Sequence, residues 1–133
     1  MEKMYPVVHF EMPAKNRERM ARFYSGVFGW QTQMFGEEMG NYVTVATAPS
    51  DNNGRPTVPG TINGGFFPVA EDDSSHHPSV VIAVEDINLS AKEVSAAGGK
   101  LLGEPVDIPG VGLYLSFKDP EGNTLSLLQP KMG

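Results

Sequence analysis

Two ionisable side chains set two residues apart, His9 and Glu11 in the segment VVHFEMP, are the first pair in the chain suited to proton chemistry. Alternate residues of a strand share a face, so imidazole and carboxylate point one way while Val8, Phe10 and Met12 point the other. A carboxylate beside an imidazole raises its proton affinity and orients it, which serves general acid–base work or hydrogen bonding to a ligand. The plainer reading is a half-buried histidine satisfied by backbone or water, beside a solvated glutamate. Tyr114 and Ser116 alternate in LYLSF, opposite Leu113, Leu115 and Phe117, and Tyr42 and Thr44 alternate in the same way. If the apolar faces meet helices, these hydroxyls join His9 on a polar face; otherwise they lie on an exposed sheet edge. Asn63, before Gly64-Gly65, offers an amide to a ligand or is a turn residue. Phe66 and Phe67 line a pocket or divide between core and interface.

Other groups are worse placed. His76 and His77 adjoin in the polar stretch PVAEDDSSHHP. Neighbours in an extended segment point in opposite directions, so the pair would rarely hold one ion; each is a loop residue or a substitute ligand turned toward Ser79. Glu71-Asp72-Asp73 lacks the spacing of a calcium loop. Gly110-Val111-Gly112 sits in a hairpin turn and precedes no helix, which excludes a phosphate loop. The chain has no cysteine, so disulfides, thiolate zinc sites and cysteine nucleophiles are all excluded. Sixteen acidic against ten basic side chains give a net charge of −6, which removes the main driving term for nucleic-acid binding. No apolar run approaches the ~18 residues of a membrane span. The expectation is a cytoplasmic protein with neither membrane nor nucleic acid as partner.

The elements that must position these residues come in two similar sets. Residues 7–12 form a strand ended by Pro13. Residues 15–28 form a helix with an apolar stripe of Met20, Phe23, Tyr24 and Val27, begun at Lys15 or Asn16 and stopped by Gly29. Trp30, just past that stop, reads as packing or interface. Strands follow at 31–35, 41–47 and 61–69, with a breaker-rich loop at 48–60 and, at Gly64-Gly65, a bend or a close backbone approach. After a linker at 70–78 the order recurs. A strand covers 79–84, and a helix runs from an Asp86 cap through Ala97 with Ile87, Ala91 and Val94 inward. Strands at 100–108, 111–118 and 123–129 complete the set. Shifting by 70 residues places His9 on Ser79 and Gly29 on Gly99. Two half-units of about 65 residues, neither able to bury a full core, pair into a single α+β domain. Its first module spans approximately 5–69 and its second approximately 79–130.

Three segments, VVHFEMPAKNRERMARFYSGVFGW, VVIAVEDINLSAKEVSAAGGKLL and IPGVGLYLSFKDPEGNTLSLLQP, resemble the vicinal oxygen chelate superfamily of glyoxalase I, ring-cleaving dioxygenases and bleomycin-binding proteins. The match is strongest to its glyoxalase-related bacterial branch. The resemblance implies two βαβββ modules forming a curved eight-stranded sheet or barrel with helices outside, often completed by a homodimer. It also implies four metal-ligand positions, which fall on His9, the Asn63–Gly65 region, Ser79 and Ser126. Only His9 is a residue that a divalent metal would choose, so no metal and no cofactor are expected.

Two functions follow. One is binding of a small molecule through His9, Glu11, Tyr42, Asn63, Phe67, Ser79, Tyr114, Ser116 and Ser126, with no chemistry. The other is a metal-independent lyase or isomerase in which His9 and Glu11 transfer a proton beside a carbonyl. A metalloenzyme with rearranged ligands ranks last.

Overall fold

The computed structural model describes residues 3–131. They fall into two compact units, residues 9–78 and residues 3–8 with 79–131, whose boundary cuts the first strand between Val8 and His9.

In the first unit, β1 (Val7–Ala14), β2 (Gln31–Met34), β3 (Val43–Ala46) and β4 (Asn63–Pro68) lie in the order β2-β3-β4-β1. β1 runs parallel to β4 and the other neighbours are antiparallel. α1 (Arg17–Phe28) begins where the Asn16 side chain accepts from the Arg19 backbone N–H at 2.9 Å. It stops at Gly29, whose φ of 73° suits a residue without Cβ. Val43, Val45, Phe66 and Ala14 form the buried core, with Phe10, Met12, Met20, Tyr24 and Trp30 packed against it.

The helix face differs from the expected stripe. Met20 and Tyr24 turn inward with buried Ala21, whereas Phe23 and Val27 are 55% and 60% exposed. Each residue turns the helix about 100°, so a face centred on Ala21 and Tyr24 leaves Phe23 to one side. Phe23 instead stands edge-on against Tyr24, with centroids 5.0 Å apart. Small Ala21 lets the helix approach the sheet on that side. Phe66 is core, and Trp30 stacks on Tyr24 at 4.8 Å.

The second unit holds β5 (Ser79–Ala83), α2 (Ile87–Ala96), β6 (Lys100–Leu101), β7 (Val106–Ile108), β8 (Gly112–Lys118) and β9 (Thr124–Pro130). Their order is β5-β9-β8-β6, with β7 also on β8. The expected strand at 100–108 is therefore two short ones, which makes nine strands in the described residues. Gly103, at φ 123°, and Pro105, which has no N–H to donate, interrupt it. The Asp86 carboxylate caps α2 through the backbone N–H groups of Asn88 and Leu89. Ile87, Ala91, Leu115, Phe117 and Leu127 are buried together with Val84, and Val94 packs beside them. In the DPEGN turn, one Asp119 oxygen accepts from the N–H groups of Glu121 and Asn123, both at 2.9 Å. Among the described residues no helix is long and apolar enough to cross a membrane.

Candidate functional site

Strand register decides which side chains of the first unit meet. His9 lies beside Asn63 and Glu11 beside Gly65, and Thr44 of β3 flanks Gly65 on its other side. Phe10 and Met12 alternate into the core, so His9 and Glu11 occupy the opposite face of the sheet.

Tyr42 joins them. Its phenol oxygen lies 3.0 Å from His9 Nε2 and donates to Glu11 Oε2, also at 3.0 Å. The ring lies over Gly65 so closely that a Cβ there would overlap it. On the other face, Gly64 leaves room for the Phe10 ring, 2.5 Å from where a Cβ would stand. The glycine pair is thus a close-approach site rather than a bend, and β4 pairs without a break through both residues.

Tyr42 is held from behind. Arg17, in the first turn of α1, donates through Nη1 to the carbonyls of Phe35 and Asn41 at 2.6 and 3.1 Å. The Phe35 N–H bonds the Tyr42 carbonyl at 2.9 Å, and Asn41 takes the left-handed conformation, φ 55°, that turns the chain into β3. These contacts close the turn that delivers the phenol. Nothing in the sequence spacing pointed to Arg17. The sequence signal for Tyr42 is its alternation with Thr44, and the glycine pair separately marks a close approach without saying of what.

Burial pushes the His9 imidazole below its ordinary pKa of 6.5, and the nearby Glu11 carboxylate opposes that shift without cancelling it. His9 is therefore neutral at pH 7. Because the folded state binds this proton less tightly than the unfolded chain, the stability gained is complete above about pH 6.5. It is lost as pH falls through the lower folded value. Urea denaturation of wild type between pH 7 and 5 should show a steeper loss of stability than His9→Gln. Equal slopes would contradict the burial argument.

The other candidates each have hydrogen-bond or ring partners within their own unit. The Asn63 side chain accepts from the Thr47 N–H at 2.9 Å and donates to Ser50 Oγ and the Gly54 carbonyl at 2.8 and 3.0 Å, tying down the loop at 48–60. Phe67 meets the His76 ring edge-on, with centroids 5.7 Å apart, and His76 Nδ1 lies 2.9 Å from Asp73 Oδ2. That hydrogen bond lowers the Asp73 pKa. In the second unit, Ser126, only 3% exposed, donates to the Tyr114 phenol at 2.7 Å and lies 2.9 Å from Ser116 Oγ. Ser79 donates to the Thr124 carbonyl at 2.7 Å.

The four positions implied for a metal thus carry an imidazole on a phenol, an amide holding a loop, a hydroxyl on a carbonyl and a hydroxyl in a three-residue chain. This donor set does not fit a divalent transition metal. Among the described residues, no three or more His, Cys, Asp or Glu side chains group so as to hold an ion. An apolar groove of about 410 Å³ opens on the helix side of the first unit, lined by Phe10, Met12, Tyr24, Trp30 and Ile62 with Thr47 and Thr61.

Residues 7–127 match the model of the Glyoxalase/Bleomycin resistance protein/Dioxygenase superfamily. A glyoxylase-like domain-containing protein of Didymella fabae is 32% identical over 117 residues, 86% of this chain and 85% of that protein. The putative glyoxylase CFP32 of Mycobacterium tuberculosis is 42% identical over 55 residues, 41% of this chain, but the match spans only 21% of that relative's length. Among solved structures, the hypothetical protein BH1468 of Bacillus halodurans C-125 superposes with a TM-score of 0.70 at 14% identity, covering 98% of both chains.

Proposed function

This chain belongs to the Glyoxalase/Bleomycin resistance protein/Dioxygenase superfamily, and we propose that it binds a small organic molecule at His9 and moves a proton on it without a metal, as a lyase or isomerase. The observation that carries this reading is the Tyr42 phenol bonded to both His9 and Glu11. A neutral imidazole can accept a proton, and a carboxylate one phenol away stabilises the imidazolium that results. Arg17 and Gly65 support the reading by holding the phenol between them. In the same reading Asn63 secures the loop at 48–60, Phe67 contacts ligand in the His9 unit, and Ser79, Tyr114, Ser116 and Ser126 are contacts of their own unit. The proposed working form is a cytoplasmic homodimer.

Exchange of solvent deuterium into uncharged ketones and hydroxyketones tests the proposal. Protein stripped with a chelator should catalyse exchange into at least one of them. His9→Ala should lose about 10²–10⁴-fold of that rate, the usual contribution of a positioned acid–base group. Exchange that depends on added metal, or binding without any exchange, would overturn it. The latter result would favour a second reading, sequestration without chemistry, for which the aromatic groove beside Trp30 is the supporting feature.

A further inference from the structure

The chain carries asparagine followed by glycine twice, at Asn53-Gly54 and at Asn63-Gly64. In this dipeptide an asparagine side chain condenses most readily with the backbone, because glycine has no Cβ to shield its amide nitrogen from the preceding carboxamide carbon. The fold treats the two copies oppositely.

Asn63 is locked. Its carboxamide accepts from the Thr47 N–H and donates to Ser50 Oγ and the Gly54 carbonyl. Gly64 is buried in β4, paired on both sides, and a Cβ there would meet the Phe10 ring at 2.5 Å. Ring closure at Asn63 would have to break all three side-chain bonds and bend an interior strand. Asn53 lies instead in the exposed stretch 51–55 of the loop at 48–60, and among the described residues no hydrogen bond holds its carboxamide. The turn is made by backbone groups around Asp51. Its carboxylate accepts from the N–H groups of Asn53 and Arg55 at 2.9 and 3.0 Å, and its carbonyl accepts from the Gly54 N–H at 3.0 Å. The space beside Gly54 is open, with nothing within 4 Å of where a Cβ would stand. Opening of that one solvent-exposed turn bond frees the Gly54 nitrogen.

The geometry points to Asn53 as a site of spontaneous deamidation whose isoaspartyl product unties the loop at 48–60 from β4. In the step, the Gly54 nitrogen gives its proton to hydroxide and bonds to Asn53 Cγ. The Cγ–Nδ2 bond breaks, and the nitrogen takes a proton from water and leaves as ammonia. Water then opens the cyclic imide at one of its two carbonyls, giving aspartate or an isoaspartate whose main chain runs through Cγ. Nothing is oxidised or reduced. The isoaspartate inserts a methylene just before Gly54, whose carbonyl is an acceptor of Asn63 Nδ2, so that tie is the one displaced. Thr47 and Thr61, which bracket the loop, both line the aromatic groove, so the loosening reaches its rim. This inference is independent of the proton-transfer reading above.

Peptide mapping of the full-length protein, held at neutral and at mildly alkaline pH, tests the site. Aspartate and isoaspartate should accumulate at residue 53 in proportion to hydroxide. Asn63 should convert about 10²-fold more slowly, the factor for breaking three ordinary hydrogen bonds. Equal rates at the two positions, or an intact Asn53 under conditions that convert the free peptide SDNNGRP, overturn the assignment. Amide hydrogen exchange tests the untying. In aged wild type, residues 51–57 should exchange roughly five- to tenfold faster, the factor for one lost hydrogen bond. Two variants should match fresh wild type: aged Asn53→Gln, whose longer side chain closes the ring far more slowly, and fresh Asn53→Asp, which adds the charge without lengthening the backbone. Unchanged exchange in the aged wild type, or the same increase in either variant, overturns the link to Asn63.

Discussion

Phe66→Ala is expected to lower the folding stability of the protein by about 3–5 kcal/mol, the range for truncating a fully buried phenylalanine. Phe66 is 0% exposed, packs among Ala14, Val43 and Val45, and lies 5.7 Å from the Tyr24 ring. Its removal leaves a void between sheet and helix, lined by β-strand residues that cannot collapse without breaking the β3–β4 ladder. Domains have only about 5–15 kcal/mol in total, so the variant should sit near the limit of folding at 37 °C. The urea midpoint, with an unchanged slope, measures this. A loss below about 1 kcal/mol would mean that the sheet and α1 do not close over Phe66 as described.

One residue earlier, on the opposite face, Gly65→Ala should cost about 1–3 kcal/mol by overpacking and should also dismantle the candidate site. The added methyl overlaps the Tyr42 phenol, so ring and methyl cannot both keep their places. When the phenol moves, both of its 3.0 Å contacts, to His9 and to Glu11, are lost together. The penalty arises from the ring, not from the backbone, because Gly65 is not among the glycines with positive φ. Combining the substitution with Tyr42→Ala is therefore expected to remove most of its cost, a non-additivity that marks direct contact. If Gly65→Ala costs the same in both backgrounds, the close approach of Tyr42 is not what this glycine serves.

Adjacent residues with such different roles explain how far the chain could be read without coordinates. Period-two alternation put His9 and Glu11 on one face and Phe10 and Met12 on the other, and it separated Tyr114 and Ser116 from Leu115 and Phe117. All of these assignments hold in the fold. Local signals also bracket the helix caps: of Lys15 and Asn16 it is Asn16 that caps α1, Asp86 caps α2 with a short acceptor as expected, and Gly29 takes a positive φ. The same local reasoning failed where the outcome depended on neighbours distant in sequence. Apolarity alone misplaces the α1 stripe because Phe23 and Met20 are both apolar, and only the sheet beneath selects which of them is covered. The apolar residues at 100–108 suggest one continuous strand, which Gly103 and Pro105 divide into two.

The pairing of imidazole and carboxylate on one strand face was written into residues 9 and 11 by the geometry of an extended chain, which needs no partner to be expressed. The phenol that joins them was not, because Tyr42 lies 31 residues beyond Glu11 and reaches it only through the register of β1, β4 and β3. That register, the space left by Gly65 and the Arg17 clamp on the turn before β3 are properties of the packed sheet. They turn two side chains facing the same way into one hydrogen-bonded group with a defined direction.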